Sequence, residues 1–347
     1  MLTYLMGMSR AGKTTYSMRC TQGGGPSYLS FDKLWDYSRT ADDQWEEFAT
    51  KIQQALDEHG DVIIDGMMYL VVERLHERFP GTQPVFAYTK FDIIKSRISP
   101  ANIYGCSHEG QCNSMVTFYQ TLADHNPYFM VGGDAGAFTT MSPHAFFTYL
   151  GDPWKTEMEQ WLVDRVDTLN CDVKYSPVKV GDVERPGYER AILTLSRIKG
   201  LVDWTGANVL EYGPHMAYAA LHHYARFAKH VELVEQSQDA CKGIRWMANY
   251  MGLSNISVKA GDIMSYQTSE KPDIVLCLNM FYGLSDKRDA ALRLWERDPS
   301  HVIVETNEQD FLYLDAVATS RGYTKATYPG RTNCSGHNRL IVHYTRS

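Results

Sequence analysis

Apolar residues fall along this chain in short dense runs, separated by longer stretches with a helical beat, and the two rhythms alternate from end to end. Leu2, Tyr4, Leu5 and Met6 form the first run, of a length that suits a buried strand, and Thr14–Cys20 reads as the opening turns of a helix. Gly23-Gly24-Gly25-Pro26 breaks that helix, and Ser27-Tyr28-Leu29-Ser30 reads as a second strand running into Phe31-Asp32-Lys33. Thr40, with Asp43 three residues on as a capping partner, predicts a helix whose Trp45, Phe48, Ile52, Ala55 and Leu56 share one face. Val62-Ile63-Ile64-Asp65 is a strand ending in a carboxylate. A helix near Tyr69–Phe79, a strand at Pro84–Tyr88 and another at Tyr128–Val131 complete the first half.

From Ser142-Pro143 to about Thr205 the pattern is harder to read. Trp154, Met158, Trp161, Leu162 and Val166 make one helical stripe, and Ile192, Leu195, Ile198 and Leu201 another. After it the strand–helix alternation resumes. Strands are expected at 208–213, Val231–Glu235, Ile256–Lys259, Pro272–Asn279 and His301–Glu305, with a β-rich close at Arg339–Tyr344. The polar, turn-rich stretch 328–339 reads as a pocket cover or a hairpin.

Parallel strands joined by helices bury both faces of their sheet, so each half is expected to be a doubly wound α/β domain. A chain of 347 residues supports two of them. We expect domains at 1–150 and 185–347 with a connecting segment at 151–184. No run of about 18 apolar residues suggests a membrane span. The first strand leads straight into a candidate phosphate loop, leaving no room for a signal peptide, so the cytoplasm is the expected location (host cytoplasm if phage-encoded). The formal net charge is −7, and residues 1–150 carry 11 basic against 16 acidic side chains, so bulk charge gives no support to a polynucleotide platform. Seven scattered cysteines fit a reducing compartment. Cys106, His108 and Cys112 lack a second pair at zinc-site spacing and read as an ordinary loop.

The strongest chemical signal is Gly7-Met8-Ser9-Arg10-Ala11-Gly12-Lys13-Thr14, followed by Thr15, which fits G-x-x-x-x-G-K-[ST] at every fixed position. Glycines at both ends let the loop turn its N–H groups inward onto phosphates. The helix N-terminus adds partial positive charge, and Lys13 reaches the outer phosphates. The Thr14 hydroxyl suits Mg2+, with Asp65 as the strand-end acid beside it.

This half resembles the small P-loop kinases of the polynucleotide-kinase type, including nucleotide and nucleic-acid kinases that bacteriophages encode. The resemblance covers roughly residues 1–100. It implies ATP and Mg2+ as ligands, Asp32 as the base that takes the proton from an attacking hydroxyl, and a mobile arginine on the transferring group, for which Arg97 (or Lys95) stands in the matching region. Arg10 departs from the small residues many members carry there.

In the second half, Val209-Leu210-Glu211-Tyr212-Gly213 is a strand ending in acid-x-Gly, and Glu235 ends the next strand where an acid can accept both ribose hydroxyl protons. Asp262 is placed to meet an adenine amino group. This half, about 185–347, resembles class I S-adenosylmethionine-dependent methyltransferases. The residues that carry it are Glu211, Gly213, Glu235, Gly261-Asp262-Ile263 and Leu276 to Tyr282, which includes Asn279. The resemblance implies S-adenosylmethionine as cofactor, held by Glu211, Gly213, Glu235, Asp262, Ile263 and Asn279. Members usually show acid-x-Gly-x-Gly-x-Gly, whereas here His215 and Ala217 replace the second and third glycines, which should crowd the cofactor. Tyr282, His215 and His337 are candidates for the acceptor side.

The sequence therefore predicts a bifunctional enzyme. It would be an ATP-dependent kinase acting on a hydroxyl of a nucleotide, nucleic acid or sugar, joined to a methyltransferase. The rival reading is an ATP-binding switch with a non-catalytic methyltransferase-like binding domain. Neither reading calls for a membrane, and oligomeric state is not legible.

Overall fold

The computed structural model describes residues 1–7, 13, 16–17, 20, 25–36, 38–66, 71–89, 107–132, 138–171, 176–188, 190–268, 270–278, 280–334 and 337–346. The chain divides into two compact units, Met1–Met158 and Glu159–Ser347, each built on its own sheet. Both are α/β, as the alternating pattern predicts.

The first unit contains β1 (Leu2–Gly7), β2 (Ser27–Ser30), β3 (Val62–Asp65), β4 (Gln83–Thr89), β5 (Tyr128–Gly132) and β6 (Phe138–Met141), in the order β2-β3-β1-β4-β5-β6. Only β6 is antiparallel. From β1 the chain goes to one side for β2 and β3, then to the other for β4 and β5. The carboxyl end of β1 is therefore the switch point of the sheet, where ligand crevices form in such folds. Tyr4 and Leu5 are wholly buried, as a central strand covered on both faces requires. Register fixes what shares that edge: Leu5 and Ser30 both lie opposite Asp65, and Gly7 lies opposite Ala87.

Capping chemistry sets the first long helix. The Thr40 hydroxyl accepts from the Asp43 N–H at 3.3 Å and donates to its carboxylate at 2.5 Å, and the helix runs Ala41–His59. The expected apolar face is real, with Phe48 and Ile52 buried and Trp45 half-buried at its margin.

Two helices correct the sequence reading. His108 and Cys112 belong not to a loop but to the helix His108–Leu122, opened by Ser107, whose hydroxyl accepts from the Gly110 N–H at 2.9 Å. Cys112 is buried, and that burial pushes its thiol up to about 11. Cys106 lies outside the described residues, and no group of three metal-ligating side chains occurs among those described. The second helix, Pro143–Leu150, has Ser142 as N-cap and Pro143 in its first turn. It packs Phe146 flat on Phe129 with ring centroids 3.9 Å apart.

The second unit holds a short hairpin, β7 (Val178–Val180) and β8 (Val183–Arg185), and a seven-stranded sheet. Its strands are β9 (Asn208–Tyr212), β10 (His230–Glu235), β11 (Ile256–Ala260), β12 (Ile274–Cys277), β13 (His301–Thr306), β14 (Tyr323–Cys334) and β15 (His337–Arg346). Their order is β11-β10-β9-β12-β13-β15-β14, parallel through β13, with β15 antiparallel to both neighbours. The polar stretch 328–334 continues β14, with a register shift between Tyr328 and Thr332. The central strands are buried almost throughout, and Trp295 lies wholly buried among them. Among the described residues no helix is long and apolar enough to cross a membrane.

Candidate functional site

In the second unit, β9 and β12 are neighbours at the centre of the sheet, and the chain leaves them in opposite lateral directions. Their carboxyl ends define a second switch point. There the segment after β9 turns through three left-handed residues at alternate positions: Gly213 (φ 66°), His215 (φ 53°) and Ala217 (φ 52°). These are the three positions at which the acid-x-Gly-x-Gly-x-Gly pattern places glycine. The backbone keeps that conformation although two of the glycines are gone. The expected crowding is thus corrected in part: the loop takes the glycine-type path, at the expense of left-handed strain at His215 and Ala217. At Gly213 the demand is doubled, since a Cβ there would lie 2.5 Å from the Met280 sulfur.

Glu235, at the end of β10, holds this loop. Its Oε2 accepts the His215 N–H at 2.8 Å and its Oε1 accepts the Ser237 N–H at 2.9 Å. Each oxygen keeps a second lone pair, which leaves acceptor capacity for ribose hydroxyls.

Glu211 is buried beneath the loop and accepts a hydrogen bond from the Tyr224 hydroxyl. Burial is the main cause that raises its carboxyl from 4.5 to about 7. The Tyr224 bond works against the rise, and the charge of Glu235 works with it. Near neutrality this acid stays partly protonated, and a cation placed beside it would draw the proton off.

A cleft opens over Glu211, Gly213 and Pro214. His215, Tyr218 and Leu278 also line it, and so does Glu305, the acid near the end of β13. The Glu305 Oε2 accepts from the Thr194 hydroxyl at 3.0 Å.

Of the six residues expected to hold the cofactor, the structure brings Glu211 and Gly213 into the cleft and places Glu235 directly behind its loop. Asp262 is engaged locally. It accepts from the Met264 N–H at 2.7 Å and from the Ser265 N–H at 3.1 Å, and these bonds hold its carboxyl below the usual range. Ile263 is buried in the core, and Asn279 lies outside the described residues. On the acceptor side His215 lines the cleft, whereas Tyr282 has the Arg339 guanidinium over its ring at 3.5 Å. Nothing of the His337 side chain is described.

Sequence reasoning missed Glu305, Thr194 and Tyr224. For Glu305 the signal was present: it ends an apolar strand in an acid, like Glu211 and Glu235.

In the first unit, Met8, Ser9, Arg10, Ala11, Gly12, Thr14, Thr15 and Arg97 lie outside the described residues. Gly7 ends the central strand, and Lys13 is a buried helical residue just beyond it. Asp65 is buried at the end of β3 and accepts from the Tyr28 hydroxyl at 3.0 Å. Asp32 lies in the one-turn helix Phe31–Leu34 that follows β2 at the same edge. Gly66 packs against Phe31, where a Cβ would fall 2.6 Å from the phenylalanine Cβ. This contact draws the ends of β2 and β3 together.

No family model matches the chain, and no curated protein matches it. Among solved structures the chain is similar to magnesium protoporphyrin IX methyltransferase from Synechocystis PCC 6803 with bound SAH. That likeness is at 14% identity and a TM-score of 0.41, over 56% of this chain and 100% of that one. It is also similar to the N-methyltransferase NodS from Bradyrhizobium japonicum WM9 in complex with S-adenosyl-L-homocysteine, at 18% identity and a TM-score of 0.39, over 54% of this chain and 97% of that one. A third is precorrin-6y C5,15-methyltransferase from Geobacter metallireducens GS-15, at 11% identity and a TM-score of 0.37, covering 51% and 98%. The switch-point sheet and its left-handed loop are the observations a functional reading has to build on.

Proposed function

We propose that the second unit binds S-adenosylmethionine in the cleft at the ends of β9 and β12 and transfers its methyl group. The observation that carries this reading is the alternation of left-handed backbone at Gly213, His215 and Ala217 above a buried Glu211. The donor set suits the ligand, because an acidic cleft favours a molecule with both an ammonium and a sulfonium charge. Bound there, S-adenosylmethionine supplies an electrophilic methyl on a cationic sulfur. The protein's own residues do the rest. Glu235 accepts from the ribose hydroxyls, Glu211 receives the ammonium, and the cleft aligns the acceptor with the methyl. Calorimetry should detect S-adenosylmethionine binding to the wild type and at least a tenfold loss with Glu235→Ala. Absence of heat in both would leave a non-catalytic module.

For the first unit we propose ATP-dependent phosphoryl transfer to a hydroxyl, supported by the phosphate-loop sequence at the switch point of its sheet. Lys13, Thr14 and Asp65 would hold the triphosphate and Mg2+, Asp32 would take the hydroxyl proton, and Arg97 would close on the transferring group. Asp32→Asn should abolish transfer of labelled γ-phosphate while leaving ATP binding intact. If ATP is held or hydrolysed with no acceptor and Asp32→Asn changes nothing, the unit is a switch.

A further inference from the structure

Glu211 reaches the cleft from the next-to-last position of β9, and the chain comes back to it thirteen residues later. Beyond the left-handed loop lie the helix Tyr218–His222 and the single 3-10 turn Tyr224–Arg226. That turn sets the Tyr224 hydroxyl on the Glu211 Oε2. Both side chains are buried, Tyr224 wholly so. A buried phenol could equally donate to a backbone carbonyl; here its partner is an acid that lines the cleft.

The ring of Tyr224 is itself held. Trp204, from the segment before β9, lies nearly flat on it, with centroids 5.0 Å apart and planes 20° from parallel. The Trp204 indole is buried, and its N–H donates to the Lys199 carbonyl at 3.2 Å. One locked ring thus supports another, and the second fixes the rotamer of the acid.

The same contact bears on charge. A hydrogen bond given to a carboxylate favours its ionised form, whereas burial and a neighbouring negative charge oppose it. Burial and Glu235, from β10, work against ionised Glu211, and the Tyr224 hydroxyl works for it. Cys277, from β12, is the other titrating neighbour, and burial keeps its thiol protonated. His215 of the loop, Tyr218 of the helix after it and Glu305 of β13 share the lining of the cleft.

We propose that Tyr224 is a positioning residue of the cofactor site, aiming the Glu211 carboxylate at the ammonium of the ligand and stabilising its charged form. The inference rests on the cofactor reading given above, and Tyr224 acts through Glu211 rather than on the ligand. Trp204 is the support that keeps the hydroxyl in place.

S-adenosylhomocysteine carries that ammonium and serves as the probe. Titration calorimetry on the full chain from about pH 5.5 to 8.5 should show wild-type affinity falling below a break near neutrality, where Glu211 takes up its proton. Tyr224→Phe keeps the ring and loses the hydroxyl. Its break should move up by about one pH unit, leaving binding about fivefold weaker than wild type at pH 7 and within about twofold of it at pH 8.5. Glu211→Gln should show no break, and adding Tyr224→Phe to it should change nothing further. Trp204→Phe, which shrinks the ring that the tyrosine rests on, should move the break the same way by less. A melting curve on each variant confirms folding. If folded Tyr224→Phe weakens binding by one factor at every pH, the hydroxyl is structural and the proposal fails. If the wild type shows no break, or the break stays in place in Tyr224→Phe (in Trp204→Phe, should the first variant not fold), the assignment of Tyr224 is wrong and the cofactor reading stands. A break that survives Glu211→Gln belongs to another group, such as His215, and also overturns the proposal. If the wild type binds no S-adenosylhomocysteine at any pH, the cofactor reading falls and takes the proposal with it.

Discussion

Single residues in the second unit are set by demands that the sequence shows only in part. Glu211 has its carboxyl raised from 4.5 to about 7, chiefly by burial. A folded-state value above the unfolded one means the folded protein holds the proton longer. The stability this contributes is complete below about pH 4.5 and is lost as pH rises through about 7. Melting temperatures between pH 4.5 and 8 should therefore fall more steeply in the wild type than in Glu211→Gln. Binding of S-adenosylmethionine near pH 7 should also release a proton, seen as a calorimetric heat that varies with the buffer's ionisation enthalpy and is absent in Glu211→Gln. Gly213→Ala adds a side chain at φ 66° and within 2.5 Å of the Met280 sulfur. The backbone conformation alone costs roughly 1–2 kcal/mol, so a lower melting temperature and about tenfold weaker cofactor binding are expected. The reverse holds at His215 (φ 53°), where His215→Gly relieves a left-handed non-glycine residue. Its thermal unfolding should be displaced upward, by on the order of 1 kcal/mol. The acid-x-Gly signature made Glu211 and Gly213 readable in advance. The conformation of His215 was not, because nothing local in Pro214-His215-Met216 asks for it; the bond from its N–H to Glu235, twenty residues on, helps hold it there.

At the level of elements, strands were the legible part. Every strand expected at the two sheet centres forms, because a buried parallel strand must be a continuous apolar run and little else in a sequence looks like one. Helices fared less evenly. Thr40 announced Ala41–His59 through its capping partner, and Thr40→Ala should lower stability by about 1 kcal/mol, measured by chemical unfolding of the full chain. The helix His108–Leu122 went unread although Cys112, Met115, Val116, Tyr119 and Leu122 recur at helical spacing on its buried side. Gly110, Asn113 and Ser114 lower its intrinsic propensity, and tertiary packing overrides them. Gln111 shows how: its side-chain amide donates to the Thr89 carbonyl at 2.8 Å, tying the helix to the end of β4. The hairpin of β7 and β8 escaped for a plainer reason, three-residue strands being too short to display a period.

Over the whole molecule, two sheets with two switch points share one chain, and each presents acids at the carboxyl edge of its strands. If each unit binds its own nucleotide, Lys13→Ala should abolish ATP binding and leave S-adenosylmethionine affinity within twofold of the wild type, while Glu235→Ala should do the converse. Parallel titrations of the two variants check both halves of that expectation. The place of β15 has a separate consequence. It sits inside the second sheet, hydrogen-bonded to β13 on one side and β14 on the other, although it is the last of the described strands to be made. A ribosome must travel 134 codons beyond the end of β9 before Arg346 exists (346 − 212 = 134), on the order of ten seconds at typical elongation rates. From Thr306 onward, the last 40 codons of that interval (346 − 306 = 40), the edge of β13 stands without the partner it has in the finished sheet, while the described strands of the first unit have already been made. Chaperone capture during synthesis should therefore concentrate on nascent chains between 306 and 346 residues.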